Sequence, residues 1–210
     1  MRIKYQDYVI KNGKFVGKFE EMYKNFSDPW NLLKTSKIES NLNYDIIFSY
    51  CDYLKKKKKL TVLEIGCGFA HISNQLSKNG FKVYGTDISE TVIKKSKKKY
   101  PKIKNNLFHS DFLNFQLYEK LNPDIIILSN ISWYVLPKLK KFIKWFKSSK
   151  KKVYLIHTLT LYNKNKQKYG RNFFTDLKSI KSFFKLKYLS YGAVSNNKNE
   201  KNSFFLGVNK

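Results

Sequence analysis

From residue 59 onward the chain alternates short apolar runs with stretches of helical spacing, and no other feature narrows its fold as much. The runs 60–65, 82–85, 103–108, 124–128 and 153–156 read as strands, with helix candidates between them at 70–79, 89–99, 114–121 and 137–147. Their apolar residues stand side by side, as in 125–128 and 153–156, rather than at every second position, as a strand covered on both faces requires. Strand and helix in regular succession therefore predict a parallel sheet sandwiched between helices. The C-terminal end breaks the rhythm. There a helix candidate at 175–184 precedes strands at 186–194 and 203–208, joined by a polar Asn/Lys turn, so an antiparallel hairpin is expected to finish the sheet.

The N-terminal residues follow another pattern. Residues 1–16 alternate weakly around Asn12-Gly13, a pair that tolerates positive φ and so suits a two-residue hairpin turn. Phe19, Met22, Tyr23 and Phe26 recur at helical spacing until Ser27-Asp28-Pro29-Trp30 interrupts them. A second helix is expected over 40–56, with apolar Leu42, Ile46, Ile47, Tyr50, Tyr53 and Leu54, and its C-terminal lysines match the negative end of the helix dipole. No internal repeat and no linker divides the chain.

With 42% hydrophobic residues and four prolines, the 210-residue chain can bury one sizeable core. Its longest apolar runs, such as 125–128, fall far short of the ~20 residues of a membrane-spanning helix. The opening MRIKYQDYVI lacks the apolar core of a signal peptide, so a soluble, unexported, cytoplasmic protein is expected. Cys51 and Cys67 lack the C-x-x-C spacing of zinc and redox sites and read as reduced thiols; no metal site is expected. A net charge of +27 first suggests nucleic acid or an anionic membrane. Yet only Arg2 and Arg171 are arginine, the residue that bidentate phosphate contacts favour. Abundant lysine beside Asn, Ile, Phe and Tyr also arises from A/T-rich coding. The field would still draw in anionic small substrates, so a small anionic acceptor is expected and nucleic acid is disfavoured.

The first strand candidate ends in Val62-Leu63-Glu64-Ile65-Gly66-Cys67-Gly68-Phe69-Ala70 and runs into a helix. Glycines at such a turn let the main chain approach a ligand, and the helix N-terminus offers free N–H groups. A dinucleotide fingerprint would need glycine where the chain has His71. The pattern instead resembles motif I of the class I S-adenosylmethionine-dependent methyltransferases, with Ala70 in place of the third glycine.

The resemblance spans 60–210 and implies a Rossmann-like methyltransferase fold, α/β, with a mostly parallel seven-stranded sheet, a C-terminal antiparallel hairpin and an N-terminal helical lid. It divides the one domain into a hairpin and lid segment, 1–59, and a cofactor-binding core, 60–210. It implies S-adenosylmethionine as cofactor and S-adenosylhomocysteine as product. Glu64, Gly66, Cys67 and Gly68 would surround the cofactor, with Phe69 either beside the methionine tail or packed away from it. Asp87, followed by Ile88, would hold both ribose hydroxyls, which a carboxylate can do at once. Asp111 would take the adenine amino group and the main chain at Phe112 the ring, and Asn130 would stand beside the methyl group. The segment from Phe19 to Trp30 is similar to small methyltransferases of nodulation-factor synthesis and of capsule and surface-polysaccharide pathways. There Trp30 either covers the cofactor or packs the lid.

A neutral hydroxyl acceptor needs a base. His157, which follows the run 153–156, is the candidate, as base, acceptor ligand or structural residue, whereas His71 reads as structural. Tyr169-Gly170-Arg171 interrupts a lysine-rich loop where substrate walls commonly form. Arg171 either clamps an acidic group on the acceptor or pairs at the surface. Methyl transfer to oxygen or nitrogen of a sugar, nucleotide-linked or phosphorylated (including phosphoramidate) precursor is the leading expectation. RNA methylation and a non-catalytic nucleoside-binding protein are the alternatives. Base-directed enzymes place an Asn/Asp-Pro-Pro-aromatic sequence where this chain has Ser129-Asn130-Ile131-Ser132.

Overall fold

The computed structural model describes residues 4–31, 41–55, 59–162, 168–195 and 200–210. The turn at 196–199, the lysine-rich stretch 163–167 and both ends of the helix expected over 40–56 lie outside them. The chain opens with a hairpin of β1 (Ile10–Lys11) and β2 (Lys14–Phe15), and its turn places Asn12 and Gly13 at positive φ. Helix α1 (Phe19–Asn25) follows and buries Met22 and Tyr23. Helix α2 (Leu42–Leu54) starts on Asn41, whose side chain accepts the Asn43 N–H. Its buried positions Tyr44, Ile47, Cys51 and Leu54 form the stripe, whereas Tyr53, expected among the apolar set, faces solvent.

The core alternates β3 (Thr61–Ile65), α3 (His71–Lys78), β4 (Lys82–Asp87), α4 (Glu90–Lys99), β5 (Leu107–His109), α5 (Phe115–Leu121), β6 (Ile125–Ser129), α6 (Leu136–Ser148) and β7 (Tyr154–Leu161). Helix α7 (Leu177–Phe184) and the pair β8 (Lys187–Ser195) and β9 (Lys201–Val208) end it. The seven strands β3 to β9 lie in the order β5-β4-β3-β6-β7-β9-β8. The first five are parallel, and β9 enters antiparallel between β7 and β8. Chain order reverses between β3 and β6, which opens a crevice at the carboxyl edge of the strands.

The predominantly apolar strands supply both faces of the sheet by simple alternation. Ile126, Leu128, Leu155 and Leu159 pack with Leu139, Phe142 and Phe146 of α6 and Phe184 of α7. Their neighbours Ile125, Ile127 and Ile156 pack with α2 and α3 through Ile47, Cys51, Ile72 and Leu76. A third cluster seats the lid, with Val9, Met22 and Tyr23 on Phe69 and Val92. Glu20 of α1 fastens it, accepting the Ser89 hydroxyl at 2.7 Å and the hydroxyl and N–H of Thr91. Those bonds hold its carboxyl down at about 2 although burial pushes it up.

Two boundaries differ from the sequence pattern by more than two residues. Residues 101–106 form a 3-10 helix led by Pro101, whose fixed φ suits a first helical turn, so only 107–109 are strand. More consequentially, β7 runs to Leu161, five residues beyond the apolar run, because β9 pairs along its whole length. His157 is therefore mid-strand in the core rather than emerging at the carboxyl edge. Its ring is fully buried against Phe205 at 4.8 Å and Phe184 at 5.0 Å, and Nε2 shares a 2.8 Å hydrogen bond with the Ser132 hydroxyl.

Burial holds His157 neutral, down to about 3 from an ordinary 6.5. A depressed native value contributes stability above pH 6.5 that is lost as pH falls toward 3, because the unfolded chain takes up the proton first. Glu64, raised by burial to about 7, pulls the opposite way, so the contribution must be read as a difference. His157→Gln should flatten the fall of wild-type stability between pH 6.5 and 4.5 by up to about 2–3 kcal/mol, measured by urea unfolding at both pH values.

Candidate active site

The crevice is a cavity of about 340 Å³, within the range of small-molecule sites. Its floor is the turn after β3. Gly66 stands at φ +73°, and a Cβ there would come 2.6 Å from Ile131. Gly66 and Cys67 both donate N–H to the Thr86 carbonyl at 2.7 and 2.9 Å, which binds the turn to β4. A Cβ on Gly68 would project to 3.2 Å from the Tyr23 hydroxyl, so bare backbone faces the cavity beneath the lid. Ala70, where a third glycine would stand, is held in the left-handed region at φ +56°, a strain of about 1–2 kcal/mol for a residue with a Cβ.

Two buried carboxylates line the floor. Asp87 closes β4 and accepts the Gly68 N–H at 2.9 Å on one oxygen and the Ser89 N–H at 3.0 Å on the other. Burial pushes its carboxyl up while those N–H groups pull it back, and each oxygen keeps acceptor capacity for a diol. Glu64 accepts both the N–H and the hydroxyl of Ser73 on Oε2, so Oε1 is the oxygen left for the cavity. Its carboxyl, raised to about 7, would favour a cationic neighbour that restores the charged form. Bare glycine backbone, a free carboxylate oxygen and a diol-ready carboxylate fit the nucleoside and amino-acid ends of S-adenosylmethionine. Among the described residues no group of His, Cys, Asp and Glu could hold a metal ion.

The sequence candidates divide. Glu64, Gly66, Cys67, Gly68, Asp87, Ile88, Phe112, Asn130 and Trp30 all line the cavity. Cys67 is buried and its thiol is pushed well above the usual range, which makes it a wall residue rather than a nucleophile. Asn130, at φ +56°, spends its side-chain carbonyl on the Thr160 N–H at 2.8 Å. Trp30 donates its indole N–H to the Tyr23 hydroxyl at 3.1 Å.

Five others stand off the wall. Phe69 turns under the lid, edge-on to Tyr23 at 5.7 Å. Asp111 points outward to Lys138 at 2.5 Å, leaving its neighbour Ser110 on the wall. His157 is sealed in the core, so the base expected there does not reach an acceptor. Tyr169 stacks on Phe15 at 6.0 Å, and Arg171 is exposed; neither lines the cavity. His71 is structural, bonded through Nδ1 to the Tyr100 hydroxyl.

Sequence reasoning missed most of the upper wall, where Tyr5, Tyr134 and Tyr162 join Phe19 and Trp30 of the lid segment. No motif marks those three, because they come from separate segments that only the fold assembles. No Lys or Arg lines the cavity among the described residues, despite the chain's net charge of +27.

Residues 62–152 match the family model of a methyltransferase domain. No curated protein matches the chain. Among solved structures, a SAM-dependent methyltransferase from Aquifex aeolicus superposes with a TM-score of 0.56 at 18% identity, over 82% of this chain and 93% of that one. The N-methyltransferase NodS from Bradyrhizobium japonicum WM9, solved with S-adenosyl-L-homocysteine, gives 0.61 at 13% identity over 90% and 97%. The bifunctional kinase-methyltransferase WbdD gives 0.62 at 15% identity, over 80% of this chain and 39% of that one. Family model, motif and fold agree: residues 62–152 carry a methyltransferase domain, and the chain is similar to the class I S-adenosylmethionine-dependent methyltransferases.

Proposed function

We propose that the chain transfers a methyl group from S-adenosylmethionine to oxygen or nitrogen of a small acceptor, a sugar, nucleotide-linked or phosphorylated precursor in surface-polysaccharide biosynthesis. The observation that carries this reading is the pair of buried carboxylates, Glu64 and Asp87, set on either side of a glycine turn in one cavity. Asp87 would hold the ribose diol, Oε1 of Glu64 the ammonium of the methionine tail, and Ser110 and Phe112 would flank the adenine in place of Asp111. When bound, the cofactor supplies a methyl group on a sulfonium, an electrophile with a good leaving group. The protein then has chiefly to position the reactants and exclude water. The lid of α1 and Trp30 is built for the second task, since it roofs the turn with aromatic side chains. The polysaccharide pathway rests on the likeness of the segment from Phe19 to Trp30. With no cation among the described wall residues, any phosphate on the acceptor would lie outside the cavity, toward the lysine-rich surface.

Asp87→Ala should weaken S-adenosylmethionine binding about 100-fold, since the ribose hydroxyls and the Gly68 and Ser89 N–H groups all lose a charged acceptor. Unchanged affinity by calorimetry would mean that the ribose sits elsewhere. Affinity should also rise with pH through about 7 as Glu64 ionises and then level off, whereas Glu64→Gln should bind weakly with no such step; the same calorimetry at pH 5.5, 7 and 8.5 reads both.

A further inference from the structure

We propose that the reacting atom of the acceptor is a neutral amine nitrogen, received by the aromatic wall of Tyr5, Phe19, Trp30, Tyr134 and Tyr162. This rests on the methyl-transfer reading above and decides between its two acceptor atoms. Four of the rings form a continuous chain. Tyr5 meets Trp30 edge-on at 5.0 Å, Trp30 lies 5.8 Å from Tyr134, and Phe19 meets Tyr134 edge-on at 5.3 Å. The phenol of Tyr162 is close enough to act electrostatically on that of Tyr134. The polar groups beside them are neutral and partly spent: Asn130 on the Thr160 N–H, the Thr160 hydroxyl on Asn202.

Each kind of acceptor makes a demand that this wall meets or fails. A hydroxyl must shed its proton as its oxygen becomes positive, which takes a base. Among the described lining residues there is no histidine, and burial raises the phenols of Tyr5, Tyr134 and Tyr162, which therefore keep their protons. Glu64 and Asp87 belong to the cofactor half. Asp28 and Glu200 act on the phenols of Tyr44 and Tyr162 from outside the set of residues that line the cavity. An anionic oxygen needs no base, but burying it takes a full positive charge beside it, and the described lining residues include no Lys or Arg, only the neutral donors of the phenols and Asn130.

A neutral amine needs neither. Its lone pair forms the nitrogen–carbon bond as the sulfur–carbon bond breaks, and that bonding pair returns to sulfur to leave a neutral thioether. The positive charge passes to nitrogen, where ring faces stabilise it, and the ammonium proton leaves afterwards to water. The sulfonium charge and the desolvating wall both favour the amine over its ammonium form at entry.

The test incubates the purified protein with methyl-deuterated S-adenosylmethionine and a metabolite extract. A parallel extract is first treated with acetic anhydride to block its amines, and mass spectrometry follows the label. Label found in the untreated extract and lost on acetylation is the expected result. Label that survives acetylation overturns the amine and leaves methyl transfer standing, whereas no label in either extract overturns both. On the acceptor so labelled, kcat/KM should fall about 10-fold further in Tyr134→Leu than in Tyr134→Phe. A loss in Tyr134→Phe equal to that in Tyr134→Leu would assign the work to the phenol and overturn the proposal. So would full activity in Tyr134→Leu.

Discussion

One hydrogen bond, from the Gly68 N–H to the Asp87 carboxylate, holds the site in shape. It ties the turn after β3 to the end of β4, and with the two N–H groups that Thr86 accepts it fixes where bare backbone faces the cavity. A buried carboxylate is costly unless N–H groups surround it, and here the groups that repay the cost are those of the ligand-facing loops themselves. Stability and binding geometry therefore draw on the same few atoms.

The core was legible in the sequence because its signals are local. The runs 60–65 and 124–128 are predominantly apolar, as strands covered on both faces must be, and Glu64, Gly66 and Gly68 sit at a strand end that periodicity locates, whereas Asp87 was found through the resemblance to the methyltransferase motifs. What was not legible is set by pairing across long sequence distances. The apolar run 153–156 gives no sign that β7 continues to Leu161, since Thr158 and Thr160 are kept in the strand by the partner β9. That one extension takes His157 from the catalytic edge into the core. Asp111 was misplaced for a similar reason: Lys138, from α6, draws it outward. The aromatic wall adds Tyr5, Tyr134 and Tyr162, from segments with no shared periodicity, to Phe19 and Trp30 of the lid segment.

Net charge proved a poor guide to the interior. A chain with 42 basic residues encloses a cavity whose described charged residues are both acids. Lysine is costly to desolvate and stays at the surface, as in α4, where Lys97, Lys98 and Lys99 crowd the last turn. The surface field and the pocket are thus separate devices, the first acting at a distance and the second by contact.

Ser89 deserves a different emphasis from the one its size suggests. Its N–H steadies Asp87, its hydroxyl reaches Glu20 of the lid, and the same hydroxyl caps α4 through Val92. A roof and a nucleoside clamp mounted on one small side chain share a single point of failure. Drift at this position alters both at once, so selection for a new acceptor has more freedom among the rings of the upper wall than at the joint beneath them.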